Sequence, residues 1–247
     1  MTMEGYTALA MPIVYACICP ASIPHEPGRT TNALARVAEE LAGYRPDTAL
    51  VIASPESTPH EKIGVFVGRE LSDYESDVDL AERINDAATA GAIPVASLRR
   101  WDGAYPQALD HFREALADAR VTAVAVSRLE PRFHFEFGRA AAGAIESLDR
   151  RVAVICSVEL AKAAGARFDE HYRHAISSWD VKALVKMDPD FRRQAGENAV
   201  AQTAVLMGAL SGYRIQPRVL SCQTTDAAAQ IVAAIDVLGP RRSHAGQ

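Results

Sequence analysis

Short apolar runs that alternate with amphipathic helical segments are the feature that most constrains the fold of this chain. The runs have the length of buried strands, and the segments between them carry apolar residues at helical spacing. The predicted strands are residues 12–19, 48–53, 63–67, 93–98, 121–126 and 151–157, and the predicted helices are residues 30–43, 77–90, 105–119 and 131–148. This alternation favours an α/β fold, in which a central, mostly parallel (mixed) sheet carries helices on both faces.

The last third of the chain departs from this alternation and is mostly helical. Its predicted elements are helices at residues 168–178, 181–185, 189–193 and 198–210, a strand at 215–221 and a helix at 225–237. The neighbouring runs 48–53 and 63–67 are candidates for an antiparallel pair. We expect residues 1–247 to form a single domain, with flexible tails at residues 1–11 and 239–247.

Composition argues against several classes of function. The chain has 247 residues, of which 49% are hydrophobic, and a formal net charge of −5. This mildly acidic balance argues against nucleic-acid binding, which needs a basic surface. The apolar runs are too short to span a bilayer, so we expect no membrane segment. The four cysteines lie in strand-like runs and are expected to be buried thiols, which indicates a reducing cytoplasm.

Candidate metal ligands follow the predicted strands, because ligands in such sheets bind beyond the carboxyl ends of the strands. The loops nominated by this rule are residues 20–28, 54–61, 99–106, 127–131 and 157–167. His25 lies in the first loop, and Glu56 and His60 lie in the second. Glu197 lies at a later helix start. Two His and one carboxylate can hold non-heme iron(II) with open positions. The alternatives are solvent-exposed histidines and a glutamate that only favours the positive end of its helix.

Two further groups of residues are weaker candidates. His171 and His174, preceded by Glu170, lie three residues apart on a predicted helix, but a solvated helix face explains them better. Cys156 and Lys162 are candidate groups for a hydrolase, although a buried strand cysteine is the default. The sequence contains no dinucleotide-binding, phosphate-loop, serine-hydrolase or zinc-protease motif.

Five motifs occur in an order that resembles a known enzyme family. They are YRPDTALVIASP at residues 44–55, HFEFGRAAAGAIE at 134–146, RVAVICSVELAK at 151–162, FDEHYRHAISSWDVKAL at 168–184 and MDPDFRRQAGENAVAQTAVLMGAL at 187–210. Their order and spacing resemble the class III extradiol ring-cleavage dioxygenases, the LigB-like superfamily that also includes the Memo proteins. The resemblance covers about residues 12–238 and implies a single LigB-type domain.

In active members of this family, the resemblance implies iron(II) held by two His and one Glu, with a further His as acid/base beside a bound catechol. Glu197, in the segment AGEN, matches the glutamate ligand. Glu56 occupies the position at which the family has the second-strand His. Lys162 occupies the position of the acid/base His. The first-strand His falls at Ala21, which leaves His25 as a displaced substitute.

The replaced positions change the chemistry expected of the site. Asp102 stands at the position of another family His, so imidazole is missing from several places. Replacing imidazole by carboxylate or alanine weakens metal binding or changes which metal is preferred. We expect Lys162 to form an ion pair with Glu56 or Glu197 and to fill the emptied metal site with positive charge.

Two functions follow from the resemblance. The first is a non-heme iron(II) dioxygenase that opens a catechol-type aromatic ring, with His25, His60 and Glu197 as metal ligands and a reserve ligand in Glu56. The second is a catalytically degenerate, metal-free member that acts as a non-catalytic subunit or as a small-molecule-binding protein, and the replacements favour it. Both imply a small aromatic substrate or ligand, and either a homo-oligomer or a pairing with a homologous subunit.

Overall fold

The computed structural model describes residues 11–22, 28–54, 61–71, 73–101, 108–160, 166–224 and 229–241. The strands in these ranges are β1 (Ile13–Pro20), β2 (Thr48–Ala53), β3 (Ile63–Phe66), β4 (Glu70–Leu71), β5 (Tyr74–Glu75), β6 (Val95–Leu98), β7 (Arg120–Ala125), β8 (Val152–Val158), β9 (Tyr213–Thr224) and β10 (Ala229–Pro240). The helices are α1 (Arg29–Tyr44), α2 (Val78–Ala90), α3 (Ala108–His111), α4 (Pro131–Glu146), α5 (Ala166–Ser178), α6 (Val181–Val185), α7 (Pro189–Ala195) and α8 (Val200–Ala209).

Eight strands form one mixed sheet in the order β6-β3-β7-β2-β8-β1-β10-β9. At its centre, β7, β2, β8 and β1 are parallel neighbours. β10 runs antiparallel to β1, and β3 runs antiparallel to β7. The expected α/β fold, with a mostly parallel mixed sheet and helices packed on it, is therefore confirmed.

Helices cover both faces of the sheet, because the side chains of the central strands alternate between two cores. In β8, Val154 and Cys156 face a core that includes residues of α2, α4, α5 and α8. Ala153 and Ile155 face the other core, which includes residues of α1 and α3. All seven residues of β8 are buried. Burial on both faces explains why the central strands are nearly continuous apolar runs in the sequence.

Helix α8 is buried on every side. All ten of its residues are buried, because it packs against the sheet, α4 and α6. Among the described residues, no helix has both the length and the apolar character needed to cross a membrane.

The predicted antiparallel pair of residues 48–53 and 63–67 is wrong, although both strands exist as β2 and β3. β7 lies between them, parallel to β2 and antiparallel to β3. β7 offers β2 six residues of backbone pairing, whereas β3 has only four residues. The longer ladder satisfies more of the buried backbone of β2.

The predicted helix at residues 225–237 is also wrong for its described part. Residues 229–237 belong to β10, between β1 and β9. β-Branched Ile231, Val232, Ile235 and Val237 favour extended backbone. Because most of β10 is buried on both faces, its apolar residues show no alternation that would separate a strand from a buried helix.

Strand β9 forms one edge of the sheet. It contains Pro217, which has no backbone N–H to donate and is typical of edge strands. The next residue, Arg218, forms ion pairs with Glu40 of α1 (Nη2–Oε2, 2.7 Å) and Asp236 of β10 (Nε–Oδ2, 2.8 Å). The β9–β10 ladder includes residues 239 and 240, which we predicted as the start of a flexible tail.

Candidate functional site

The carboxyl ends of the four parallel strands meet at one edge of the sheet, which we call the carboxyl edge. These ends are Pro20 of β1, Ala53 of β2, Ala125 of β7 and Val158 of β8. Ligands of open α/β sheets bind at this edge. β3 and β6 run in the opposite direction. The nomination of the loop at 99–106 is therefore wrong for its described start, because residues 99–101 leave β6 at the other edge.

Most of the residues predicted to form the site lie outside the described residues. These residues are His25, Glu56, His60, Lys162 and Asp102. Their roles as metal ligands, as acid/base group or as replacements of a ligand stay predictions. The remaining predicted ligand is Glu197, which follows α7 and lies among the described residues.

Glu197 lies at the carboxyl edge, beside the end of β8. Its neighbour Asn198 exchanges backbone hydrogen bonds of 2.9 and 3.1 Å with Glu159, the residue after β8. Ala21, at the predicted position of the first-strand His, donates its backbone N–H to the carbonyl of Val158 at 2.8 Å. The end of β1, the end of β8 and the segment around Glu197 therefore converge.

Both carboxylate oxygens of Glu197 accept hydrogen bonds from the chain itself. Oε2 accepts from the backbone N–H groups of Ala199 and Val200 at 2.7 and 2.8 Å, and so caps the start of α8. Oε1 accepts from Nε of Arg192 in α7 at 2.7 Å. The Glu197 side chain is only 3% exposed. Gly196, with a φ of 63°, ends α7 in the left-handed conformation that favours glycine, and this turn brings Glu197 back towards Arg192.

These surroundings of Glu197 do not fit a divalent metal ion. The two oxygens of the Glu197 carboxylate already accept three hydrogen bonds, which occupy most of the lone pairs that a metal ion would need. The adjacent guanidinium of Arg192 also repels a second cation. In the described ranges of the chain, no three His, Cys, Asp or Glu side chains are grouped so that they could hold a metal ion. The expected ion pair of Lys162 with Glu56 or Glu197 stays a prediction, and among the described residues the cationic partner of Glu197 is Arg192.

A buried histidine lies at the same edge. His134, in the first turn of α4, has no exposed surface. Its Nε2 accepts a hydrogen bond from the backbone N–H of Ser127 at 3.1 Å, so its proton is on Nδ1, 3.3 Å from the carbonyl oxygen of Glu130. Burial lowers the pKa of His134 to about 4, the charge of Arg192 also lowers it, and the bond to Glu130 opposes the shift.

Ser127 and His134 have the arrangement of a nucleophile and its base, with the Ser127 hydroxyl 3.4 Å from Nε2. Two facts make the pair unsuited to nucleophilic catalysis. The Nε2 lone pair already accepts the stronger bond from the Ser127 backbone. A histidine with a pKa of about 4 is also a weak base at neutral pH. The bonds of His134 instead hold the segment that leaves β7.

The cysteines of β1 and β8 are buried. Cys17, Cys19 and Cys156 have no exposed surface, whereas Cys222 is partly exposed. Burial raises the pKa of Cys156 well above the ordinary thiol value, so no thiolate forms at neutral pH. The prediction of buried thiols is confirmed for these three residues, and the hydrolase alternative loses its cysteine.

The two histidines of α5 face solvent. His171 and His174 are both exposed, and so is the preceding Glu170. The ring of His171 lies edge-on to Phe191, with 6.1 Å between the ring centroids. The interpretation of this helix side as a solvated face is confirmed.

Three residues of the site escape prediction from the sequence, namely Arg192, His134 and Ser127. Arg192 lies five residues before Glu197, and the contact depends on the turn at Gly196 rather than on helical spacing. A signal for His134 was available. The nominated loop at 127–131 begins with Ser127, and His134 follows it within the first turn of the next helix.

Known proteins share the fold of this chain. No family model matches it. It is similar to Protein CA_C1420 of Clostridium acetobutylicum, with 21% identity over 270 residues that cover 91% of this chain and 56% of that protein. The chain thus spans little more than half the length of this curated relative. Its structure is similar to that of the uncharacterized protein JW3007 of Escherichia coli K12, with a TM-score of 0.66 and 15% identity over 90% of this chain and 99% of the other. At this level of identity, the structural likeness shows that the two chains share one α/β fold.

Proposed function

We propose that this chain is a catalytically degenerate member of the class III extradiol dioxygenase superfamily, which binds a small aromatic molecule at the carboxyl edge without iron. The observation that carries the proposal is the hydrogen bond of 2.7 Å from Nε of Arg192 to Oε1 of Glu197. This guanidinium supplies the positive charge that the resemblance assigns to iron(II) in active members.

The energetics of Glu197 support the same proposal. Recruiting this carboxylate to a metal would break an ion pair in which the glutamate is 3% exposed and the arginine 20% exposed. Breaking a buried pair of this kind costs about 3 kcal/mol. The metal would also compete with the two backbone N–H groups of α8, whose cap contributes about 1 kcal/mol. The free energy of iron binding would have to offset both the loss of the ion pair and the loss of the helix cap.

The position matched to the first-strand His gives further support. Ala21 lies at the carboxyl edge through its bond to Val158, but alanine has no side-chain donor atom for a metal. The resemblance also implies Glu56 and Lys162 at positions where active members have histidine. Together, these replacements leave little imidazole for a non-heme iron site.

We propose that the chain works in the cytoplasm, as a homo-oligomer or paired with a homologous subunit that carries a complete set of metal ligands. All four cysteines are free thiols, as is usual in a reducing compartment. Purification from the native source tests the pairing. Co-purification of a homologous chain supports a subunit role, and a pure oligomer of this chain alone supports a stand-alone binding protein.

Metal analysis together with oxygen consumption tests the absence of iron chemistry. We expect protein purified without chelator, and protein incubated with Fe(II), to hold far less than one iron per chain and to consume no oxygen with catechol. The variant Glu197→Gln is expected to have the same low iron content as the wild type. Stoichiometric iron that supports oxygen uptake and is lost in Glu197→Gln would overturn the proposal.

The rival function is an active non-heme iron(II) dioxygenase. Its support is the position of Glu197, which is buried at the edge from which the loops with His25 and His60 begin. This function requires Arg192 to leave Glu197 when iron binds. Oxygen uptake with catechol that is abolished by His25→Ala and by His60→Ala would establish it.

A further inference from the structure

We infer that Arg192 binds a carboxylate group of the ligand, so that the site takes small organic monocarboxylates. This inference rests on the proposed function, because it requires that a guanidinium and not iron stands at Glu197. It adds a recognition group and a ligand charge that the resemblance does not supply.

Arg192 has more hydrogen-bond donors than the chain uses. A guanidinium offers five N–H donors, and the one on Nε bonds to Glu197. Within the part of the chain that the structure describes, the donors on Nη1 and Nη2 have no partner. The side chain is 20% exposed and its terminal nitrogens are not among the fully buried polar atoms without a partner, so a ligand can reach these donors. An unpaired guanidinium donor that a ligand can reach forms a charge-assisted hydrogen bond with a ligand acceptor.

Arg192 lies over the middle of the carboxyl edge. Its charge acts on His134, which follows β7, and it bonds to Glu197, which is joined to the end of β8. Strand β2 lies between β7 and β8 in the sheet. The unpaired donors are therefore at the place where open α/β sheets take their ligands.

The charges around Arg192 favour a monoanion with a planar head. Glu197 balances the charge of Arg192, and His134 is neutral, so the cluster carries no net charge. A dianion such as phosphate would place two negative charges in this partly buried site, whereas a carboxylate places one. The two terminal nitrogens of a guanidinium also match the two oxygens of a carboxylate.

Calorimetric titration with benzoate tests the inference. We expect benzoate to bind the wild type, and its neutral analogue benzamide not to bind. Arg192→Met should weaken benzoate binding at least about tenfold. Arg193→Met is the matched control and should leave binding unchanged, because Arg193 is the next residue of α7, is 75% exposed and pairs with Asp190. Far-ultraviolet circular dichroism verifies that each variant is folded.

Glu197→Gln separates recognition from a structural role. Removing the resident carboxylate frees the charge of Arg192, so benzoate should bind about tenfold more tightly, whereas a merely structural Arg192 predicts no gain. Failure of benzoate to bind the wild type, equal binding to Arg192→Met, or tighter binding of phosphate than of benzoate would overturn the inference. Iron content and oxygen uptake are measured on the same samples. If the protein holds no iron, consumes no oxygen and does not bind benzoate, this inference is wrong, but the proposed function is not contradicted.

Discussion

Gly138 of α4 and Gly208 of α8 face each other where these two helices cross. A Cβ atom on Gly138 would overlap the backbone carbonyl oxygen of Val205, and one on Gly208 would overlap that of Phe135. Backbone atoms of a helix cannot move aside as the end of a flexible side chain can. The crossing therefore requires glycine at both positions. Because α4 carries His134 and α8 begins at the Glu197 cap, this contact also sets how close the two sides of the carboxyl edge lie.

We expect Gly138→Ala to lower the free energy of unfolding by about 3 kcal/mol, since overpacking against backbone forces the helices apart. Urea denaturation at neutral pH measures this change. Gly143→Ala on the same helix is the control. Gly143 is exposed and has no atom within 4 Å of an added Cβ, so alanine there should stabilise by about 0.5 kcal/mol. Equal effects at the two positions would contradict the close crossing.

Asp77 caps α2 and forms an ion pair with Arg150. Its carboxylate accepts from the backbone N–H of Leu80 at 3.1 Å, from the hydroxyl of Thr48 at 2.6 Å and from Nη1 of Arg150 at 2.7 Å. We expect Asp77→Asn to cost about 3 kcal/mol of unfolding free energy, because Arg150 loses its buried counter-charge. Asp79→Asn, at a carboxylate that pairs with the same arginine but is 48% exposed, should cost less than about 1 kcal/mol. Urea denaturation of both variants measures the difference, and similar losses would contradict it.

The buried imidazole of His134 predicts a loss of stability in mild acid. Its pKa is about 4 in the folded chain and 6.5 ordinarily. Between these pH values the unfolded chain binds more protons, so acidification favours unfolding. From pH 7 to pH 5, this histidine alone should remove about 2 kcal/mol of unfolding free energy.

Replacing the histidine isolates its contribution from that of the carboxylates. Urea denaturation at pH 7 and pH 5 should show a smaller pH dependence for His134→Gln than for the wild type. His174→Gln, at an exposed position, should keep the pH dependence of the wild type. A pH dependence that survives in His134→Gln would show that this imidazole is not the group responsible.

Thiol labelling tests the claim that Cys156 is inert. In the native protein at neutral pH, iodoacetamide should modify only Cys222, which is partly exposed. In denaturant, all four cysteines should react. Peptide mass spectrometry locates the label. Rapid native modification of Cys156 would revive the hydrolase alternative.

Local sequence pattern predicts the central strands well. The run at 48–53 becomes β2 with the same bounds, because a buried strand between turn residues has clear ends. β10 could not be predicted in this way. Its extended form depends on pairing with the preceding strand β9 on one side and with β1, which is distant in the chain, on the other, and such pairing leaves no mark on local periodicity. The reversed direction of β3 and β6 has the same origin, since it depends on β7 entering between β2 and β3.

The site is predicted only in part, for a related reason. The helix-start position of Glu197 is evident from the sequence, and the structure places this residue at the N-terminus of α8. Its partner Arg192 is not evident, because the ion pair crosses from one helix to another through the turn at Gly196. When two residues lie on either side of such a turn, their separation in the sequence does not tell whether their side chains meet, because that depends on the conformation of the turn.

Pro217 on β9 bears on how copies of the chain can associate. Exposed outer strands invite addition of a strand from a second molecule, but a proline interrupts the row of donors that such addition needs. The neighbouring Arg218 is held in its own ion pairs and adds charge to the same border. We therefore expect β9 not to extend the sheet by pairing with a strand of a second molecule.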